Sequence, residues 1–340
     1  MTASKSRNRN QSARTVAILG ANGRLSREAA RAFHRAGWHV IAITRSGKCD
    51  ALARLEGIEL RTADALDRQA MIAATAGADV IFNGLNPPYT DWQEKALPMA
   101  ENALAAAEKH HALHLFPGNV YNFGSGLPEV LTPETPYRPD HRKARIRCGM
   151  EALFEQAAAS GSVKTVILRA GDFFGGDGTG SWFDLVIAKR AGKSIFTWPG
   201  RADIPHAWAY LPDLAEAFVR IADKADSLPA FSLFHFGGHT VTGLEMQAAA
   251  EKAMGRKLKR AALPGIVLSI AGLFSAMMRE TKAVFYLWQK PHRMDGSVLE
   301  AVTGPLPHTP LDRAVRDALA ALGHVKNNAA HPSVLEARPA

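Results

Sequence analysis

Apolar and polar positions alternate in blocks through the first half of the chain. Thr15–Leu19 is a run of β-branched and aliphatic residues without polar interruption, which predicts a strand buried on both faces. It stops at Gly20 and Gly23 and gives way to an alanine-rich pattern at helical spacing. The same rhythm predicts strands at 38–44, 58–62, 79–83, 112–116 and 163–169, with long helices at 91–111 and 140–160. Strands alternating with helices in this way demand right-handed crossovers and a doubly wound parallel sheet, a Rossmann-type α/β fold.

After Gly171 the alternation breaks. A glycine-rich stretch leads to a helix from about Trp182, a helix that Asp213 is placed to cap, a strand at 232–236 and a helix starting near Val241. The chain therefore divides into a dinucleotide-binding Rossmann domain at 14–170 and a smaller, mostly helical substrate lobe at 171–324, with some strands returning to the main sheet. Such a lobe closes over the carboxyl ends of the strands, where ligands bind in these sheets. The longest apolar stretch, 263–278, is short for a membrane span and contains Pro264, Gly265 and Gly272. It reads as a buried helix or an apolar lid over substrate, with peripheral membrane contact the lesser alternative. Residues 1–13 and 325–340 read as disordered polar tails.

Composition changes this picture little. The net charge of +9 over 340 residues comes partly from Lys5, Arg7, Arg9 and Arg14 in an acid-free tail. No basic-aromatic stripe or zinc spacing accompanies it, so no nucleic-acid partner is expected. His110, His111 and His114 match no metal signature and read as a helix end beside a strand. Cys49 and Cys148 are too few for a disulfide framework, and the N-terminal tail lacks the apolar core of a signal peptide. Both point to a reducing, cytoplasmic setting.

The candidate chemistry starts at the glycine turn. Gly20 makes the tight turn, and Gly23 admits a pyrophosphate to the amides of the following helix, with Asn22, Arg24 and Leu25 completing the turn. Ser26 stands where a third glycine is usual and is small enough to keep helix and strand close. A structural βα turn without ligand is the bland alternative. The second strand ends at Arg45, 22 residues after Gly23, where an NAD-binding domain places an acidic side chain. The sequence Thr44-Arg45-Ser46-Gly47-Lys48 suits a 2′-phosphate instead, which favours NADP over NAD, unless Arg45 is merely a solvated loop residue. Asp64, ending the third strand, either accepts from the adenine amino group or caps the helix near Asp67. Asn86, followed by Pro87, Pro88 and Tyr89, lines the nicotinamide-ribose side or makes a rigid turn. Phe173, Phe174, Trp182, Trp208 and Tyr210 are divided between core and a substrate wall.

Four segments in order, GANGRLS, FPGNVYNFG, LRAGDFFG and HAWAYLPDLAEAF, resemble the extended short-chain dehydrogenase/reductase superfamily in its NAD-dependent epimerase/dehydratase-like branch. The resemblance covers approximately residues 15–323 and implies the Rossmann fold and dinucleotide binding. Members of the superfamily include sugar-nucleotide epimerases and dehydratases, carbonyl reductases and non-catalytic regulatory proteins. It also implies a serine or threonine after the fifth strand and a Tyr-x-x-x-Lys pair on the next helix, the lysine lowering the tyrosine's pKa. Here the match fails. Alignment on Val120-Tyr121 and Glu151 puts Pro117 or Asn119 at the hydroxyl position, Lys143 at the tyrosine and Arg147 at the lysine. An intact Tyr286-x-x-x-Lys290 lies in the C-terminal region, away from the expected catalytic helix.

Tyr121 is then the leading proton donor, with Lys143 second, its pKa lowered by neighbouring arginines. Arg147 can hold ribose hydroxyls or an anion but cannot act as an acid or base. Against this stands a packed Tyr121 and a solvated basic helix face at 142–147. The reading is an NADP-dependent oxidoreductase with an atypical active site, acting on a carbonyl/alcohol pair of a small molecule and possible as a homodimer without a transmembrane segment. The alternatives are a sugar-nucleotide epimerase or dehydratase, and a non-catalytic NADP-binding regulatory protein.

Overall fold

The computed structural model describes residues 14–326. The tails expected to be disordered, 1–13 and 325–340, lie outside the described residues except for 325 and 326. The chain begins β1 (Thr15–Leu19), α1 (Arg24–Arg35), β2 (His39–Thr44), α2 (Asp50–Ala53), β3 (Ile58–Thr62), α3 (Arg68–Ala74), β4 (Val80–Asn83), α4 (Trp92–His110) and β5 (Leu113–Gly118). It continues through β6 (Val130–Leu131), α5 (Arg142–Ala159), β7 (Thr165–Arg169), β8 (Asp172–Phe174), β9 (Ile195–Pro199), β10 (His206–Tyr210), α6 (Leu211–Asp223) and β11 (Phe231–His235). Last come β12 (His239–Val241), α7 (Gly243–Met254), β13 (Lys259–Leu263), α8 (Gly265–Phe274), α9 (Ala276–Ala283), β14 (Arg293–Met294), α10 (Ser297–Thr303) and α11 (Leu311–Ala321).

Seven parallel strands form the main sheet in the order β11-β7-β5-β4-β1-β2-β3. The strands with the longest apolar runs, β1 and β2, lie inside it and are buried nearly end to end, which is why their sequences lack alternation. One apolar layer joins α1 and α6 to one face through Phe33, Phe82 and Phe218. The other face packs α4 and α5 through Ala103, Phe116 and Phe154. Chain order reverses at β1, with β2 on one side and β4 on the other, so a crevice opens there at the carboxyl ends of the strands.

Three expectations change. Trp38 precedes β2 rather than opening it, because its amide donates to the Phe33 carbonyl at the end of α1 at 3.0 Å, with its ring edge-on to Phe33. Asp213 does not cap its helix: α6 begins two residues earlier, and the Asp213 carboxylate accepts from the Thr309 amide and hydroxyl, both at 2.7 Å. The stretch 263–278 is no buried helix. It folds as the end of β13, α8 and the start of α9, with Phe274 88% exposed. The cause is local, since Gly265 and Gly272 bring α8 so close to Lys282, Phe285 and Arg279 that only one side of the helix is covered. Among the described residues no helix is long and apolar enough to cross a membrane.

Candidate active site and dinucleotide crevice

The glycine turn sits at the end of β1, in the crevice. Gly20 has φ +64°, and a side chain there would press on the Gly84 carbonyl at 3.2 Å. The Gly23 amide donates to the Gly20 carbonyl at 2.8 Å, and α1 then starts with no side-chain cap and no acidic residue in its first turn. That leaves helix amides free for an anion, which fits a pyrophosphate. Ser26 is buried and donates its hydroxyl to the Leu19 carbonyl at 3.2 Å. The space it takes is returned across the crevice: a Cβ on Gly84 would stand 2.1 Å from Ser26 Oγ. The third small position has moved from helix to neighbouring strand end.

Around the turn, Asn22 Nδ2 donates to the Lys48 carbonyl at 3.0 Å, tying the loop after β2 to the turn. Leu25 is buried beneath it. The Arg24 guanidinium is committed to Asp184 at 2.5 Å and to the Gly175 carbonyl, so only its amide faces the pyrophosphate position. Arg45 and Ser46 are exposed at the end of β2. Asp64 is exposed and accepts from the Leu66 amide at 3.0 Å, whereas the helix cap is Asp67, which accepts from Gln69 and Ala70. Asn86 is exposed on the loop after β4. His110 ends α4, His111 follows at φ +53°, and His114 is buried in β5 against Asn83.

Deeper in the crevice, the Tyr121 and Tyr89 hydroxyls meet at 2.8 Å. Asn119 Oδ1 accepts from the Tyr121 amide at 3.0 Å and so fixes the turn that presents the phenol. Burial, then the fields of Tyr89 and Asp172, hold the Tyr121 pKa well above the ordinary phenol value. The phenol therefore keeps its proton at neutral pH. Lys143 is buried, with Nζ 4.1 Å from the Tyr89 ring centre and 3.0 Å from Glu280 Oε2. Its pKa falls chiefly through burial, Arg142 adds only a minor push, and Glu280 opposes the shift. Desolvation, not arginine repulsion, is the cause. Arg147 is buried between Trp92 and Phe116, 4.9 and 5.1 Å from the two rings, and donates to the Pro117 carbonyl at 3.4 Å. The basic helix face is thus split: Arg142 and Arg145 are exposed, Lys143 and Arg147 turn inward.

Sequence reasoning missed three members of this cluster. Asp172 accepts from His206 Nε2 at 2.8 Å, and the His206 ring stacks on Trp288 at 4.3 Å. The Asp172 charge raises the pKa of Tyr89, Tyr121 and Tyr286 alike, which marks it as their common neighbour. Glu280 arrives from α9. Tyr286, discounted for its distance along the chain, lies 3.3 Å from His141 Nε2, and His141 Nδ1 accepts from Ala144 at the start of α5. No local pattern announces such contacts, because they join residues up to 145 positions apart. Among the aromatic residues, Phe174, Trp208 and Tyr210 are core, while Phe173 and Trp182 are half-buried.

A parallel sheet with this turn and crevice defines a dinucleotide-binding α/β protein of the extended short-chain dehydrogenase/reductase type. The chain belongs to the NAD dependent epimerase/dehydratase family, whose signature matches residues 16–237. No curated protein matches it in sequence. Among solved structures it is similar to a Burkholderia cenocepacia J2315 protein provisionally designated an epimerase, at 20% identity, TM-score 0.73, and 92% and 98% coverage of this and that chain. It is likewise similar to UDP-glucose 4-epimerase from Bifidobacterium longum in complex with NAD+ and UDP, at 18% identity, TM-score 0.72, and 91% and 98% coverage. UDP-glucuronic acid 4-epimerase from Bacillus cereus in complex with NAD shares 14% identity at TM-score 0.72, with 91% and 96% coverage. At these identities the likeness concerns the fold.

Proposed function

We propose that the protein is a nicotinamide-dinucleotide-dependent enzyme of the epimerase/dehydratase kind, acting at a hydroxyl or carbonyl carbon of a sugar-nucleotide-like small molecule. The observation that carries this reading is the convergence of Tyr121, Tyr89 and Lys143 in one buried cluster. Family membership and the UDP-sugar enzymes among the similar structures support the substrate class. Gly20, Asn22, Gly23 and the amides of Arg24 and Leu25 would hold the dinucleotide, which would supply hydride exchange when bound. Tyr121 delivers or receives the proton of the substrate oxygen, with Tyr89 as its hydrogen-bonded relay. Arg147 orients the loop through Pro117, and Asn119 fixes the phenol. Asp172, held by His206, is the carboxylate placed to accept the proton when a hydroxyl is oxidised.

A second reading, a net NADPH-linked carbonyl reductase, draws on Arg45, Ser46 and Lys48 in place of an acidic residue, and on a Tyr121 that stays protonated. One experiment separates the two. The purified protein is incubated with UDP-sugars and with simple carbonyls while nicotinamide absorbance and products are followed. Epimerised or dehydrated product without net cofactor consumption supports the first reading, and stoichiometric NADPH oxidation supports the second. Dinucleotide binding with no product from either panel supports a regulatory role and overturns both. Arg45→Asp should weaken NADPH by about 1.5–3 kcal/mol and leave NADH nearly unchanged. Equal calorimetric affinity of the unaltered protein for both cofactors would remove the phosphate role of Arg45.

A further inference from the structure

The fold leaves one apolar face uncovered. The α8 sequence, GIVLSIAGLF, contains no charged residue, and a helix that is apolar all round belongs in a core or at a membrane. Its inner side is used, since Leu268 and Gly272 are buried. Its outer side is not: Ile266, Ile270, Leu273 and Phe274 are 63%, 56%, 74% and 88% exposed, and they recur at helical spacing as one stripe. Val267 and Met277 widen it. Folded monomers seldom expose so continuous an apolar surface without a use for it.

The unpaired charges around the stripe are cationic. Residues 252–282 include seven lysines and arginines and one acidic residue, Glu280, which is taken up by Arg142 and Lys143. Lys252 and Lys257 are paired with Asp312 and Glu251. Lys259 and Arg260 are exposed on β13, which leads directly into α8. Arg279 donates to the Gly272 carbonyl at 2.8 Å, and Lys282 lies beside Gly265, so two further cations flank the helix along its length. None of these last four has a carboxylate within ion-pair distance among the described residues.

We propose that α8 and α9 dock the protein on the surface of an anionic lipid bilayer. Ile270, Leu273 and Phe274 enter the boundary between headgroups and acyl chains, and Lys259, Arg260, Arg279 and Lys282 meet lipid phosphates. The ten-residue helix is too short to span and lies in the interface plane. A second copy of the chain fits this face less well. A two-fold contact is self-complementary, so it would set the same cations against one another, whereas an anionic surface neutralises them.

The test is cosedimentation of the full-length protein with vesicles of phosphatidylcholine alone and of phosphatidylcholine mixed with phosphatidylglycerol. Binding to the anionic vesicles, weak binding to the neutral ones and loss with added salt are expected. Leu273→Asp with Phe274→Asp changes two exposed side chains. It should leave the thermal midpoint and dinucleotide affinity unchanged while lowering vesicle affinity about tenfold or more. Lys259→Glu with Lys282→Glu should remove the preference for anionic vesicles. The proposal is overturned if the unaltered protein stays in the supernatant with both vesicles, or if the double aspartate variant binds as well as the parent. A dimer that this variant dissociates, without vesicle binding, overturns it in favour of a second copy.

Discussion

Tyr121 and Lys143 show how position in a motif and chemistry can separate. Alignment puts Lys143 where a catalytic tyrosine belongs, yet its ammonium is enclosed by the Tyr89 ring and Glu280, and the phenol that occupies the crevice comes from the preceding loop. Tyr121→Phe keeps the ring and removes only the hydroxyl. Turnover of an identified substrate should fall by about 10²–10⁴-fold with dinucleotide affinity unchanged. Full activity in that variant, together with an inactive Lys143→Met, would move the proton-transfer role to the lysine. The residues carrying this argument were unequally legible. Tyr121 and Lys143 stand in sequence segments that resemble a known pattern, and so does Asp172 in LRAGDFFG, but its role and that of Tyr286, like the arrival of Glu280, depend on long-range packing, for which a local sequence holds no signal.

At the level of elements, inner strands of the main sheet such as β1 and β7 were readable because a strand covered on both faces has no polar alternation to confuse with a loop. The short strands β8, β9 and β12 and the pair α8 and α9 were not, since runs of three to ten residues carry too little periodicity to fix their burial. The contact of α1 with the sheet offers a direct check on how the nucleotide turn is built. Gly84→Ala would drive a methyl group into Ser26 Oγ and crowd Phe82 and the Leu19 carbonyl. It should cost about 1–3 kcal/mol in stability and weaken dinucleotide binding. Ser26→Gly in the same protein should restore much of both, because it empties the contested space. Thermal unfolding and calorimetric titration of the four proteins test this, and strictly additive effects would show that the two positions do not share the space.

Across the whole molecule, buried neutral histidines tie stability to acid. Burial lowers the pKa of His114 and His292 to about 3 and of His235 and His239 to about 4. In the unfolded chain these rings take up protons below about pH 6.5, while in the fold they stay neutral until the pH is far lower. Their contribution is therefore complete above pH 6.5 and is lost as pH falls, at up to about 1.4 kcal/mol per pH unit for each ring. Thermal midpoints should drop steeply from about pH 6.5 to about pH 4, and a flat profile over that interval would show that these sites hydrate or protonate in place. The same long-range architecture joins two distant segments of the chain. Glu280 sits on α9, whose neighbour α8 is the outermost apolar element, and its carboxylate closes over the ammonium of Lys143. That one carboxylate therefore stitches the start of α5 to α9, since it also pairs with Arg142, and its loss in Glu280→Gln would leave the buried ammonium without its counter-charge.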